Sequence, residues 1–267
     1  MEKAVILAAG RGSRMRKTQN STTITADQAK LAEAGIKAMV PVGRPFIDYV
    51  LSGIADAGYR QVCLIIGPDH NALQQHCLGY KSCRLAIHFA VQPRAIGTAD
   101  AVAHAADFVG DDPFLLINAD NFYPASALTG LRHAAGAAVA AFSPEGLCQG
   151  NISPERLRHF ALLLPGSDGS LERVVEKPSD DLFKNPTHSV LVSMNCWRFN
   201  PAIFAACRSI SLSPRNEYEL TDAVTYAIQT LGEKFRILTI NEPVLDLTSQ
   251  NDIPEVARLL ASHKVNL

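Results

Sequence analysis

The stretch Lys3-Ala-Val-Ile-Leu7-Ala8-Ala9-Gly10-Arg11-Gly12-Ser-Arg14-Met15 decides the reading of the chain. A nearly continuous apolar run that enters a glycine loop describes a strand buried on both faces, as in a parallel sheet, opening at its carboxyl end onto a loop that can face phosphate. Glycines at 10 and 12 let backbone N–H groups approach phosphate oxygens closely, and Arg14 offers them a planar fork. A tight turn carrying solvated arginines is the simpler reading of the same residues, so the loop alone does not establish a site.

Working outward, strands and helices alternate. Residues 17–35 are rich in Thr, Asn and Gln, turn helical from Thr25 to Ala34, stop at Gly35 as a natural C-cap, and are expected to form a lid. Pro45 to Ala57 has helical apolar spacing, Gln61 to Ile66 and Leu85 to Val91 read as strands, Thr98 to Phe108 as a helix, and Pro113 to Asn118 as a strand running into Ala119-Asp120. This rhythm predicts an α/β protein with a mostly parallel sheet covered on both faces. From residue 137 the pattern loosens into an apolar stretch to Phe142, a hairpin around Pro165-Gly-Ser-Asp-Gly169, a strand over 190–199, a helix over 219–231, a strand over 235–240 and a closing helix over 253–262.

Composition narrows the function. With 25 Lys and Arg against 26 Asp and Glu in 267 residues, no net field draws the chain to nucleic acid or an anionic membrane. No apolar run approaches the roughly 18 to 20 residues of a membrane span, and no signal-peptide pattern precedes the first strand, so a cytoplasmic protein is expected. The six cysteines form no CxxC pair or Cys/His cluster and read as reduced thiols, and the histidines as incidental. An assembly of identical copies is compatible with the sequence.

Leu7-Ala-Ala-Gly10-x-Gly12-x-Arg14-Met15 resembles the signature of the sugar nucleotidyltransferases, which join a nucleoside triphosphate to a sugar 1-phosphate. Further motifs follow in the family's order. Ile36-Lys37-Ala-Met-Val-Pro41-Val-Gly-Arg-Pro45-Phe-Ile-Asp48-Tyr49 is similar to its lysine element, with Ile36 in place of the usual proline and about a dozen extra residues before Lys37. Gln92-Pro-Arg-Ala-Ile-Gly97-Thr98-Ala-Asp100-Ala, Asn118-Ala-Asp120-Asn121, Val174-Val-Glu176-Lys177-Pro178, Met194-Asn195-Cys-Trp-Arg-Phe199, Glu217-Tyr-Glu219-Leu-Thr-Asp222 and Val244-Leu-Asp246-Leu-Thr248 resemble later ones. The last lacks the family's tryptophan and glycine.

The resemblance implies a Rossmann-like three-layer α/β/α sandwich of the nucleotide-diphospho-sugar transferase type, a single domain with a nucleotide-binding half (1–125) and a sugar-phosphate half (126–267) that carries a small inserted lobe. It implies Arg14, Lys37 and Lys177 as catalytic cations, and Leu7, Ala8, Ala9, Gly10, Gly12, Gln92, Gly97 and Thr98 around the nucleotide. Asn118, Glu176, Lys177 and Asn195 fall to the sugar phosphate, and Asp120 and Asp246 to Mg²⁺. A glutamine offers donor and acceptor together, which suits the imide edge of uracil or thymine, so UTP or dTTP is favoured. Read by themselves, Gln92 is a strand-end residue, Thr98 an N-cap, Asp120 a turn cap, Lys37 a surface lysine and Glu-Lys-Pro an exposed turn. Cys196-Trp197, in place of small residues, is expected to narrow the sugar pocket. Two other readings stay open: the same transfer with another nucleotide or a polyol phosphate, and a non-catalytic nucleotide-sugar-binding subunit. The repeats of an attached acetyltransferase are missing, so a bifunctional enzyme is not expected.

Overall fold

The computed structural model describes residues 1–17, 24–80, 84–179 and 190–267. Its strands are β1 (Lys3–Leu7), β2 (Gln61–Ile66), β3 (Ala86–Val91), β4 (Phe114–Asn118), β5 (Asn121–Phe122), β6 (Ala138–Phe142), β7 (Leu162–Pro165), β8 (Leu171–Val175), β9 (Val192–Phe199), β10 (Arg236–Ile240) and β11 (Leu245–Asp246). The main path of the sheet runs β10-β6-β9-β4-β1-β2-β3, and β7 and β8 form a hairpin against β9. β1 lies between β2 and β4, parallel to both, which is why its residues are apolar without interruption. β9 runs antiparallel to β4 and β6, so the second half of the chain enters the sheet that the first half begins.

Each strand divides its side chains between two cores. Ala4 and Ile6 of β1, Val62, Leu64 and Ile66 of β2, and Leu115 and Ile117 of β4 join one; Val5, Cys63, Ile65, Phe114 and Leu116 join the other. Trp197 and Phe199 project into the second core, where their rings stack 5.4 Å apart, and Cys196 into the first. All three are fully buried, so Cys196 and Trp197 do not narrow the cleft described below: the two-residue period of β9 sends them into opposite cores.

Helices cover both faces. Phe46–Asp56 is buried on almost every side, and its buried carboxylate, Asp48, is matched by Arg44 at 3.2 Å, His76 at 2.6 Å and the Tyr80 hydroxyl at 2.5 Å. The expected helix over 98–108 is two, Thr98–Ala103 and Ala106–Val109. Helices Asn71–Leu78, Ala125–His133 and Ala202–Ser209 were not legible in the sequence pattern. Among the described residues no helix is long and apolar enough to cross a membrane. Cys63, Cys77, Cys148, Cys196 and Cys207 are free thiols, and Cys83 lies outside the described residues.

Residues 18–23 of the expected lid also lie outside the described residues. Its helix, Ala26–Ala34, opens on a capping box between Thr25 and Gln28 and ends at Gly35 in the left-handed conformation (φ 76°). Arg16 caps the helix end by donating to the Ala34 carbonyl at 3.0 Å. The backbones of Gly12 (φ 59°) and Gly35 touch, so a side chain on Gly12 would meet the Gly35 carbonyl. The inserted helix is thus docked on the glycine loop, not held away from it.

Candidate active site

The carboxyl ends of β1, β3 and β4 surround one cleft of about 440 Å³, where ligands bind in open α/β sheets. Leu7, Ala8, Ala9, Gly10, Gly12, Gln92, Gly97 and Thr98 all line it, as do Lys37, Asn118, Asp120 and Asn195. Arg14, on the same loop as Gly12, is exposed and outside the lining; Glu176, Lys177 and Asp246 are also outside it. Arg11, Ser13 and Glu217 line the cleft without having been singled out. Arg11 sits within the glycine loop and Glu217 opens the Glu-Tyr-Glu element, so the motifs held both signals.

Around Gln92 and Gly97, backbone contacts fix the wall. Gly97 has φ 129° and lies against Tyr218, whose backbone accepts from Ala99 N at 2.9 Å and donates to Ile96 O at 2.8 Å. Thr98 does not cap its own helix: its hydroxyl accepts from Leu220 N at 2.9 Å and caps the helix Leu220–Gln229 instead. The buried Gln92 donates through Nε2 to the Gly97 carbonyl at 3.0 Å and to Asp100 at 2.8 Å. Its donor side is therefore taken, which revises the expectation that it offers donor and acceptor together.

Three histidines expected to be incidental hold motif residues. His70 packs behind Ala8, to whose backbone it is hydrogen-bonded, and burial lowers its pKa from 6.5. His76 pairs with Asp48, and His104 lies 3.6 Å from Asp100.

At the centre, Lys37 rises from a 3-10 turn, Lys37–Met39, and its Nζ is 2.6 Å from Asp120 Oδ2. The turn is pinned by the segment after it: Val40 O accepts from Phe46 N at 3.1 Å, and the Tyr49 hydroxyl donates to Val42 O at 3.3 Å. β5 and β11 pair Asn121 with Asp246, which brings Asp246 to the corner behind Asp120. Asp246 Oδ1 accepts from Asn121 at 2.9 Å and Thr248 at 3.1 Å, and Oδ2 is bound by Arg156, which also reaches Asp252 at 2.6 Å. Burial, with Asp120 nearby, pushes the Asp246 carboxyl up to about 6 although Arg156 opposes the shift.

Beyond the cleft lining, β8 runs into Glu176 and Lys177. Lys177 has φ 45° and Asn195 φ 53°, left-handed conformations that cost a side chain about 1 kcal/mol and gather where geometry is dictated by function. Asn195 Oδ1 accepts from Trp197 Nε1 at 3.4 Å, which leaves Nδ2 as the donor at the cleft wall. Arg215 was missed in the sequence: it forks onto Glu219, with Nε 2.7 Å from Oε1, and feels the charges of Glu176 and Glu217, while Glu219 feels that of Lys177. An arginine four residues before Glu219, in a motif already noted, was the available signal.

A glycine loop with Arg11 and a lysine–aspartate pair around one cleft are the features of a transferase that handles nucleotide phosphates. The chain belongs to the nucleotidyl transferase family, whose profile matches residues 3–242. It is 29% identical over 226 residues to the low-salt glycan biosynthesis nucleotidyltransferase Agl11 of Haloferax volcanii, a match covering 83% of this chain and 56% of that protein, so it spans little more than half of that relative's length. It is 27% identical over 260 residues to the UTP–glucose-1-phosphate uridylyltransferase AglF of the same organism, covering 96% of both. A glucose-1-phosphate thymidylyltransferase of Streptomyces griseus is 27% identical over 259 residues, 97% of this chain and 66% of that one. The fold matches a crystal structure of UDP-glucose pyrophosphorylase with UDP-glucose at a TM-score of 0.75 and 18% identity, over 99% of this chain and 100% of that one. The architecture is thus the nucleotide-diphospho-sugar transferase fold that the sequence predicts.

Proposed function

We propose that this chain transfers a nucleotidyl group from UTP or dTTP to a sugar 1-phosphate, giving a nucleoside diphosphate sugar and pyrophosphate. The observation that carries the reading is the lysine–aspartate pair at the floor of a cleft whose other end is a glycine loop. Relatives named for uridylyl and thymidylyl transfer to glucose 1-phosphate support the substrate class.

In this reading the phosphate of the sugar attacks the α-phosphorus in line, and the bond to pyrophosphate breaks. The attacking oxygen is already anionic at neutral pH, so no base is needed, and catalysis is positioning plus charge neutralisation. Lys37 in the cleft and Arg14 on the exposed side of the glycine loop, both permanent cations, would balance the charge that grows on pyrophosphate. Lys177 orients the sugar phosphate, while Glu176, Asn118 and Asn195 take sugar hydroxyls.

Lys37 engages only Oδ2 of Asp120, so Oδ1 of this partly exposed carboxylate would be the atom to hold Mg²⁺, an ion commonly bound by one carboxylate plus phosphate oxygens and water. When bound, it supplies charge neutralisation at the phosphates. Asp246 is nearly fully buried and its Oδ2 is paired with Arg156, so it would serve as a second ligand only if that ion pair opened. Its role here is to hold Asn121 and the β5–β11 pair behind Asp120.

Pyrophosphate release with Mg²⁺, each of UTP, dTTP, CTP, ATP and GTP, and a panel of hexose 1-phosphates tests the reading. Release that requires both substrates is expected. Triphosphate binding without release from any acceptor would favour the binding-subunit alternative.

A further inference from the structure

We propose that Asp100 is a positioning residue: it fixes which end of the Gln92 carboxamide faces the base, and so restricts the triphosphate to bases with a ring N–H on the pairing edge. Uracil, thymine and guanine have that N–H; cytosine and adenine present a bare ring nitrogen there. The inference rests on the reading of the cleft as a nucleotide site.

A carboxamide has one nitrogen with two hydrogens and one oxygen that only accepts. Both hydrogens of Gln92 are spent inside the protein, on the Gly97 carbonyl at 3.0 Å and on Asp100 Oδ2 at 2.8 Å. Neither partner is a donor, since a backbone carbonyl and an ionised carboxylate only accept. Turning the carboxamide over would set Oε1 against two oxygens and strand it without a donor at a residue only 4% exposed, which the interior penalises heavily. Gln92 Oε1 is thereby left as the polar atom that Gln92 contributes to the cleft, and it asks for a hydrogen.

Both anchors are themselves held. Gly97 is wedged against the Tyr218 backbone, so its carbonyl cannot drift. Asp100 lies in the first turn of Thr98–Ala103, where the helix end favours a negative charge, and His104 approaches it from the next turn at 3.6 Å. A glutamine anchored by the carbonyl alone would keep one hydrogen unspent and would present donor or acceptor with less bias.

The test measures kcat/KM for UTP, dTTP, GTP, CTP and ATP with hexose 1-phosphate and Mg²⁺, alongside calorimetric binding of each triphosphate, in the wild-type chain and two variants. In the wild type UTP should exceed CTP. Asp100→Leu should lower the UTP to CTP ratio about tenfold in both measurements, with UTP turnover falling less, as expected for loss of a charged hydrogen-bond partner. Asp100→Asn, which keeps an acceptor oxygen, should hold the ratio within about threefold. If Asp100→Leu does not fold, Asp100→Ala makes the same comparison. An unchanged ratio in the leucine or alanine variant, or a wild type that prefers CTP or ATP, overturns the proposal. Selective binding with no turnover of any triphosphate overturns the transferase reading and leaves the role of Asp100 standing.

Discussion

The two ends of the cleft are built differently. At the proposed nucleotide end Leu7, Ala8 and Gln92 sit at strand ends, and the loops beside them are set by close backbone approach, Gly12 on Gly35 and Gly97 on Tyr218, with the His70 ring against the Ala8 backbone. At the proposed sugar end Lys177 and Asn195 leave left-handed backbone, one just after β8 and one within β9, and the charges of Arg215, Glu219, Glu176 and Lys177 act on one another. A rigid wall suits a ligand part that is always the same, and adjustable charges suit the part that varies. In the proposed reaction the nucleotide would be recognised by shape and the acceptor by charge.

Breaking the point where the ends meet should have the largest effect. Lys37→Ala is expected to lower kcat for pyrophosphate release by about 10²–10³-fold, the usual loss for a preorganised electrostatic contact to a transition state; a change of threefold or less removes Lys37 from the chemistry. Next come two glycines of the rigid end. Gly97→Ala would drive a Cβ into the Tyr218 backbone and should cost roughly 2–3 kcal/mol in denaturant unfolding. Gly10→Ala meets nothing within 4 Å, so it should leave the unfolding curve unmoved and raise KM for the triphosphate. Equal stability losses would show that Gly10 packs and does not face ligand.

At the adjustable end, Lys177→Ala should raise KM for the sugar phosphate about tenfold while KM for the triphosphate stays put. Lys177→Gly should gain up to about 1 kcal/mol of stability by relieving the left-handed backbone, yet lose activity as alanine does. The smallest effect concerns pH. Burial lowers the His70 pKa, so the neutral ring favours the fold; that stability is complete above the unfolded value of 6.5 and is lost as pH falls through the folded one. Thermal melts from pH 7 to 5 should fall less steeply in His70→Gln, and a parallel fall would deny His70 that role.

Much of the rigid end was legible because strand periodicity and glycine spacing are local signals. β1, β2 and β4 announced themselves as apolar runs, and the eight residues expected at the nucleotide do meet at one cleft. What could not be read is what depends on distant partners. The antiparallel insertion of β9 between β4 and β6 sends Trp197 into a core that its neighbours in sequence do not reveal. Nor does the sequence around Asp246 disclose that Arg156, 90 residues earlier, holds its carboxylate. The histidines behind Ala8 and Asp48 were missed for the same reason, whereas Arg215 and His104, each four residues from its partner, were local signals left unused.

The central claim is that both ends serve one transfer at one phosphorus. The direct measurement follows label from α-³²P UTP in the presence of glucose 1-phosphate and Mg²⁺, in the wild type, Lys37→Ala and Lys177→Ala. The account predicts label in a nucleoside diphosphate sugar only when the sugar phosphate is present, with formation slowed in both variants. Label released as UMP without the sugar phosphate, or transfer at the wild-type rate in both variants, would contradict it.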